Sequence, residues 1–150
     1  MGYLSKRSFD ELRSLEGRKI AKIVYYLWDN LQSDDDFKSL DWIGITLHDG
    51  TNTVLNYGVD NDGIEVVDFD FNEELNKIET QFKGQVTLIH ENATLDRHWF
   101  PILDKVIKRV SFGREKGENG NSQIIFEFSD KHKIEIFTKE EGMGVDFFEA

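Results

Sequence analysis

Cysteine is absent from this chain of 150 residues, and proline occurs once, at Pro101. The absence of cysteine excludes disulfides, thiolate metal sites and thiol nucleophiles, and it favours a reducing compartment. No apolar run reaches the roughly 20 residues that a transmembrane helix needs, and the first residues lack the apolar segment of a signal peptide. These absences predict a cytoplasmic protein with no membrane partner.

Basic residues are scarce, and they are scarcest in the middle third of the chain. Residues 29–79 contain 14 acidic residues against two lysines, which leaves a charge of −12 for this segment. The other 16 basic and 15 acidic residues leave +1 for the remainder. A field of one sign attracts basic partners and repels polyphosphates. The charge pattern therefore indicates a basic protein as partner and argues against nucleic acid.

Two parts of the chain resemble each other strand by strand. RKIAKIVYY aligns with KVIKRVSFG at an offset of 87 residues, and WIGITLHDG aligns with QIIFEFSDK at an offset of 81. TNTVLNYG aligns with KHKIEIFT if one residue is dropped, and DGIEVVDF aligns with MGVDFFEA, which places Ile64 on Val145. The alignment predicts a single domain, 1–150, with an internal duplication. Its two copies, at about 15–71 and 102–150, are joined by a helix, a strand and a linker over 72–101.

Apolar residues alternate with period two in each copy, which is typical of strands that bury one face. Asp49 and Gly50 predict a type I′ hairpin turn between two of these strands. The predicted fold class is therefore α+β and mainly antiparallel, with two duplicated four-strand meanders in a sandwich or a strongly curved sheet. A closed barrel is the alternative architecture.

Two helices are predicted outside the strands. Ser8 and Glu11 form an S-x-x-E capping box, which predicts a short helix that ends at Gly17. Asn72 as a cap predicts a second helix over 72–83, which packs between or across the meanders.

The acidic stretch GVDNDGIEVVDFDF, residues 58–71, could hold calcium or a pair of catalytic carboxylates. If Gly63 is set at position 6 of a calcium loop, Gly58 and Phe69 fall where the loop needs oxygen ligands, so a plain turn is favoured. Asp68 and Asp70 would project from one face of a predicted strand about 7 Å apart, a spacing that overlaps that of inverting glycosidases. Spacing alone is weak support for catalysis, and a solvated or partner-facing acidic patch is favoured.

Other motifs that carry chemistry are missing from the sequence. The histidines show no zinc-binding spacing, and no nucleophile elbow, phosphate-binding loop or dinucleotide glycine pattern occurs. We therefore predict a protein that is not an enzyme, with no catalytic residue, no metal and no cofactor.

The stretches LDWIGITLHDGTNTVLNYG and DNDGIEVVDFDF, with the size and the acidic bias, resemble the immunity proteins of bacterial contact-dependent inhibition and related polymorphic toxin systems. The resemblance implies a cognate toxin, often a nuclease, that is bound tightly in the cytoplasm of the producing cell. Immunity proteins vary so widely that the resemblance carries over no binding residue.

The predicted function is that of an immunity or inhibitor protein, which binds and neutralises a basic toxin through an acidic surface. Two other classes stay open: a non-catalytic structural or adaptor domain, dimeric through an edge strand, and a carboxylate-dependent hydrolase. The predicted partner-binding residues are acids of the middle third and the tryptophan beside its acidic loop: Asp34, Asp35, Asp36, Asp41, Asp60, Asp62, Asp68, Asp70 and Trp28.

Overall fold

Alternating apolar residues build the core of this fold, because several strands bury every second side chain against the opposite sheet, as Ile43, Ile45 and Leu47 do. The computed structural model describes residues 4–31, 38–58, 63–115, 118–139 and 142–149. Within these ranges the helices and strands are, in chain order, α1 (Lys6–Arg13), β1 (Ile20–Asn30), β2 (Lys38–Leu47), β3 (Asn52–Gly58), β4 (Gly63–Val67), α2 (Phe71–Gln81), β5 (Val86–Asn92), β6 (Ile107–Glu115), β7 (Glu118–Phe128), β8 (His132–Thr138) and β9 (Met143–Glu149).

The strands form two antiparallel sheets. The first has the order β4-β3-β2-β1-β5, and the second has the order β6-β7-β8-β9. Each sheet thus contains one four-strand meander, and β5 extends the first sheet at its β1 edge. This arrangement confirms the predicted α+β, mainly antiparallel fold, and the described residues form no closed barrel.

The two meanders have the same strand register at their first hairpin. Ile20 pairs with Leu47 in the first meander, and Ile107 pairs with Phe128 in the second. These pairs are related by the offsets of 87 and 81 that the sequence alignment predicts. The shared register is what a duplication requires, although the duplication itself stays a prediction.

A β-bulge follows these pairs at the same place in both meanders. The register shifts between Ile20 and Lys22 in β1, and between Ile107 and Arg109 in β6. One residue of each strand is therefore left unpaired, and the local twist increases.

The fourth strands do not match as the sequence alignment predicts. Leu55 and Ile136 occupy equivalent places in the third strands, and they pair with Val66 and Val145. Val145 therefore corresponds to Val66, and its predicted match with Ile64 is wrong by two residues.

Equivalent residues pair with each other where the meanders meet. Lys19 forms an antiparallel bridge with Val106. The Gly17 N–H donates to the carbonyl of Ile107 over 2.7 Å, and the Ile107 N–H donates to the carbonyl of Arg18 over 2.8 Å. Because Lys19 and Val106 are related by the offset of 87, an approximate two-fold axis passes through this pairing.

One hydrophobic cluster joins the two sheets and α1. Ile43 and Ile45 enter it from β2, Ile124 and Phe126 from β7, and Leu12 from α1, and all five are 0% exposed. The inner faces of both sheets therefore share a core.

The capping box predicted for α1 is wrong. The helix is capped by Ser5, whose hydroxyl accepts from the Ser8 N–H over 3.1 Å. Ser8 is buried inside the helix, where its hydroxyl donates to the Glu65 carboxylate and accepts from the Val66 N–H over 2.8 Å. Ser8, which the sequence predicts as a cap, therefore connects α1 to β4 through hydrogen bonds.

The cap predicted for α2 is also wrong, by two residues. Asp70, not Asn72, accepts from the Glu73 N–H over 3.0 Å. The chain leaves α2 through Gly84, whose φ of +77° favours glycine. Neither helix within the described ranges is long and apolar enough to cross a membrane.

The turn at Asp49 and Gly50 forms a hairpin, but not of type I′. Gly50 has a φ of +89°, whereas Asp49 has no positive φ. The Asp49 carboxylate instead accepts from the Thr51 N–H over 2.9 Å. This side-chain contact stabilises a longer turn, because the Leu47 N–H donates to the Thr51 carbonyl over 2.8 Å.

Gly142, the residue before β9, packs against the beginning of β2. A Cβ atom at this position would lie 2.6 Å from the Leu40 carbonyl oxygen and 2.7 Å from the Ser39 hydroxyl. A Cβ atom on Gly50 would have nothing within 4 Å, although both glycines have a positive φ.

We expect Gly50→Ala to cost about 1 kcal/mol of unfolding free energy, because alanine is strained in the left-handed region. Gly142→Ala should cost about 1–3 kcal/mol more, because its Cβ also collides with backbone. Urea denaturation of both variants measures the difference. Equal losses would show that Gly142 does not pack closely on β2.

Candidate protein-binding face

The structure describes four of the nine predicted partner-binding residues, namely Trp28, Asp41, Asp68 and Asp70. The other five lie outside the described residues: Asp34, Asp35, Asp36, Asp60 and Asp62. Those five follow β1 and β3 in the chain. The ends of β1 and β3 lie at the same end of the first sheet, because the two strands run parallel on either side of β2.

Trp28 lies near the end of β1 and is half-buried. Its ring packs edge-on against Phe82, with 5.3 Å between the centroids. Its indole Nε1 is buried and has no hydrogen-bond partner among the described residues. Trp99, by contrast, is fully buried and donates its Nε1–H to the Tyr25 hydroxyl over 2.6 Å. Trp28 therefore has a packing role, and it also carries a donor that remains to be satisfied.

Asp41 lies at a bulge in β2. Tyr26 pairs with Trp42 and Leu27 pairs with Leu40, which leaves Asp41 between the two pairs. The carboxylate accepts from a neighbouring hydroxyl on β2 over 2.6 Å. Burial raises the pKa of Asp41 to about 6, and this hydrogen bond opposes the rise. Asp41 is therefore a half-buried acid and not a freely solvated one.

Asp68 and Asp70 lie in the connection between β4 and α2, because β4 ends at Val67. The predicted pair of carboxylates on one strand face is therefore wrong. Asp68 is 94% exposed, and its carboxylate accepts from Arg7 over 2.6 Å. Asp70 caps α2 with its carboxylate. The two acids have separate surroundings.

An aromatic layer holds this connection on the outer face of the first sheet. Phe69 packs on Tyr26 and Trp42, with centroid distances of 4.5 and 5.1 Å. Phe71 packs on Tyr26 and His90, with centroid distances of 5.8 and 5.1 Å. The alternation of Asp and Phe in the sequence is the signal for this layer, although it predicted a longer strand. The layer positions α2 as the chain crosses from the β4 edge to the β5 edge.

The acids over residues 68–79 form a surface that we call the acidic face. Lys77 is the one basic residue in this range, and its Nζ lies 3.8 Å from a Glu73 oxygen and 3.6 Å from a Glu74 oxygen. Five acids against one lysine leave a negative field on and beside α2. The acids of the acidic face are Asp68, Asp70, Glu73, Glu74 and Glu79.

The part of the chain that the structure describes contains no group of three or more His, Cys, Asp or Glu residues that could hold a metal ion. No protein-family model, curated protein or solved structure matches this chain. The function is therefore inferred from the residues alone, and the resemblance to immunity proteins stays a prediction.

We expect Asp41→Asn to change the pH dependence of stability. The pKa of Asp41 in the folded protein is about 6, above the ordinary value of 3.8. Its contribution to stability is therefore present at about pH 4 and is lost as the pH rises through about 6. Relative to wild type, Asp41→Asn should gain about 1–2 kcal/mol between pH 4 and 7, because partial exposure reduces the full effect. Chemical denaturation at several pH values measures this gain.

Asp49→Asn is the matched control. The Thr51 N–H lowers the pKa of Asp49, so the folded protein favours the charged form. Relative to wild type, this variant should lose stability as the pH rises to about 4 from below, and it should change little between pH 4 and 7. A gain of the same sign in both variants would contradict the assignment for Asp41.

Proposed function

We propose that this protein is a non-catalytic inhibitor of the immunity type, which neutralises a basic toxin in the cytoplasm. The observation that supports the proposal is the segregation of charge. Residues 29–79 carry 14 acids against two lysines, and the acidic face belongs to this segment. A basic enzyme, such as a nuclease, presents a positive surface to its own substrate, and an acidic surface can occupy it.

The acidic face is well suited to a rapid encounter with such a partner. A field of one sign raises the association rate at low salt and has a smaller effect on the dissociation rate. The aromatic contacts of Phe71 with Tyr26 and of Phe82 with Trp28 fix both ends of α2 on the sheet. The acids on α2 are therefore held in place before binding, which reduces the entropy lost on association.

Trp28 would supply an apolar anchor beside the acids. Tryptophan is enriched among the residues that dominate binding energy at protein interfaces. Trp28 would contact the partner and keep its packing contact with Phe82.

The hydrolase alternative has less support from these contacts. Asp68 forms an ion pair with Arg7, and Asp70 is the cap of α2.

The adaptor alternative rests on the sheet edges, because β4 and β5 in the first sheet, and β6 and β9 in the second, end the strand orders. A dimer through one of these edges would form without strong dependence on salt.

The experiment that tests the proposal begins with co-purification of the tagged protein and the product of the neighbouring upstream gene. Calorimetric titration at low and high salt then measures the affinity. A tight complex that weakens as salt rises would support the inhibitor. The absence of a complex, with self-association that does not change with salt, would favour the adaptor.

We expect reversal of Asp34, Asp35 and Asp36 to lysine to weaken toxin binding by about tenfold or more at low salt, chiefly through a slower association rate. Glu73→Lys with Glu79→Lys should have the same kind of effect through the acidic face. Stopped-flow association at two salt concentrations measures both, and thermal melting checks that each variant folds.

The matched control reverses two acids outside residues 29–79, Asp104→Lys with Glu135→Lys. This variant changes the net charge by as much as the pair on α2 does, so it separates local docking from total charge. If it slows association as much as the other variants, the acidic face is not the docking surface.

A further inference from the structure

A second charged surface lies on the second meander, away from the acidic segment. The turn between β7 and β8 and the bulge in β6 border a cavity of about 340 Å³. We call it the basic cleft, and its polar and basic lining is Lys108, Ser129, Lys131, His132 and Lys133.

The acids that line the cleft do not neutralise it. Glu127 lies 3.5 Å from Lys133, and Asp130 lies 2.9 Å from Lys105, which is outside the lining. The other two lysines of the cleft have no ion-pair partner among the described residues. Positive charge is thus concentrated here on a chain whose net charge is −11.

His132 also carries a buried polar atom without a partner among the described residues. The Nδ1 of His132 is buried and makes no hydrogen bond with any described residue. The imidazole ring is held by Phe147, with 5.5 Å between the ring centroids. Because side chains alternate along β8, His132 lies on the face of the buried Ile134, and its Nδ1 is closed to the cleft.

The first meander shows that the fold does not require these residues. Its turn between β2 and β3 has the same length and register as the turn between β7 and β8. The equivalent positions in the first meander are all uncharged: Ala21 for Lys108, Gly50 for Lys131, Thr51 for His132 and Asn52 for Lys133.

Lys131 is held in a conformation that glycine adopts more easily. Its φ is +66°, and the φ of the equivalent Gly50 is +89°. A lysine in the left-handed region is strained, and such residues cluster at functional sites. The second meander therefore keeps a cation at a position where the backbone favours glycine.

We propose that the basic cleft binds a small phosphate-bearing ligand. The ammonium groups of Lys108, Lys131 and Lys133 supply charge-assisted donors, and the Ser129 hydroxyl supplies a further donor. The cavity has the size of a small-molecule site, and the negative charge elsewhere on the chain opposes long polyphosphates. This site is independent of the proposed toxin-binding function.

The test is to titrate the full-length protein with inorganic phosphate and with pyrophosphate at constant ionic strength. Binding is measured from the backbone amide shifts in NMR spectra. Wild type should show saturable shifts confined to residues 108 and 129–133. The variant Lys108→Ala, Lys131→Gly, Lys133→Asn copies the first meander, and it should bind at least about tenfold more weakly.

This variant should remain folded, because glycine relieves the strained backbone and the other two residues already occupy equivalent positions. Thermal melting checks that the variant folds. If the triple variant is unstable, Lys131→Gly alone replaces it in the titration. Lys22→Ala, an exposed lysine of the first meander, is the control and should bind like wild type. Equal shifts with chloride, shifts spread over unrelated lysines, undiminished binding by the variant or no binding by wild type would each overturn the proposal.

Discussion

The antiparallel pairing of Lys19 with Val106 is the constraint on which the arrangement of the two meanders depends. It places equivalent backbone segments side by side, so that the inner faces of both sheets contribute to one core. Equivalent ion pairs flank it, from Arg18 to Asp49 over 3.4 Å and from Lys105 to Asp130 over 2.9 Å. Each ion pair has a solvent-exposed carboxylate and contributes little energy, so the backbone pairing and the shared core determine the geometry.

A symmetric frame of this kind leaves the outer surfaces free to differ. The chain after β4 crosses the outer face of the first sheet as α2, which carries acids, whereas the turn after β7 and the start of β8 carry Lys131 and Lys133. Substitutions at turns and outer faces cost little stability, because they leave the core packing unchanged. The two meanders can therefore have the same register and different charged surfaces, the acidic face beside the first and the basic cleft on the second.

Several local predictions were wrong for related physical reasons. Ser8 has the sequence context of a cap, but it is buried against Glu65, which lies 57 residues further along the chain. Asp70 caps α2 because Phe69 and Phe71 turn the chain onto the sheet before the predicted strand ends. The fourth strands were misaligned by two residues, and a shift of two keeps every side chain on the same face. Hydrophobic pattern alone cannot detect such a shift.

The sequence by itself determined the strand faces, the two meanders and the place of the acidic segment, because period-two alternation and charge are properties of neighbouring residues. Tertiary structure alone decided which distant residues share an environment. It buries Asp41 far enough to raise its pKa, and it brings Lys108 to the same cleft as Lys131 and His132. Strand pairing sets these distances, and pairing is determined by the packing of the whole core, not by spacing along the chain.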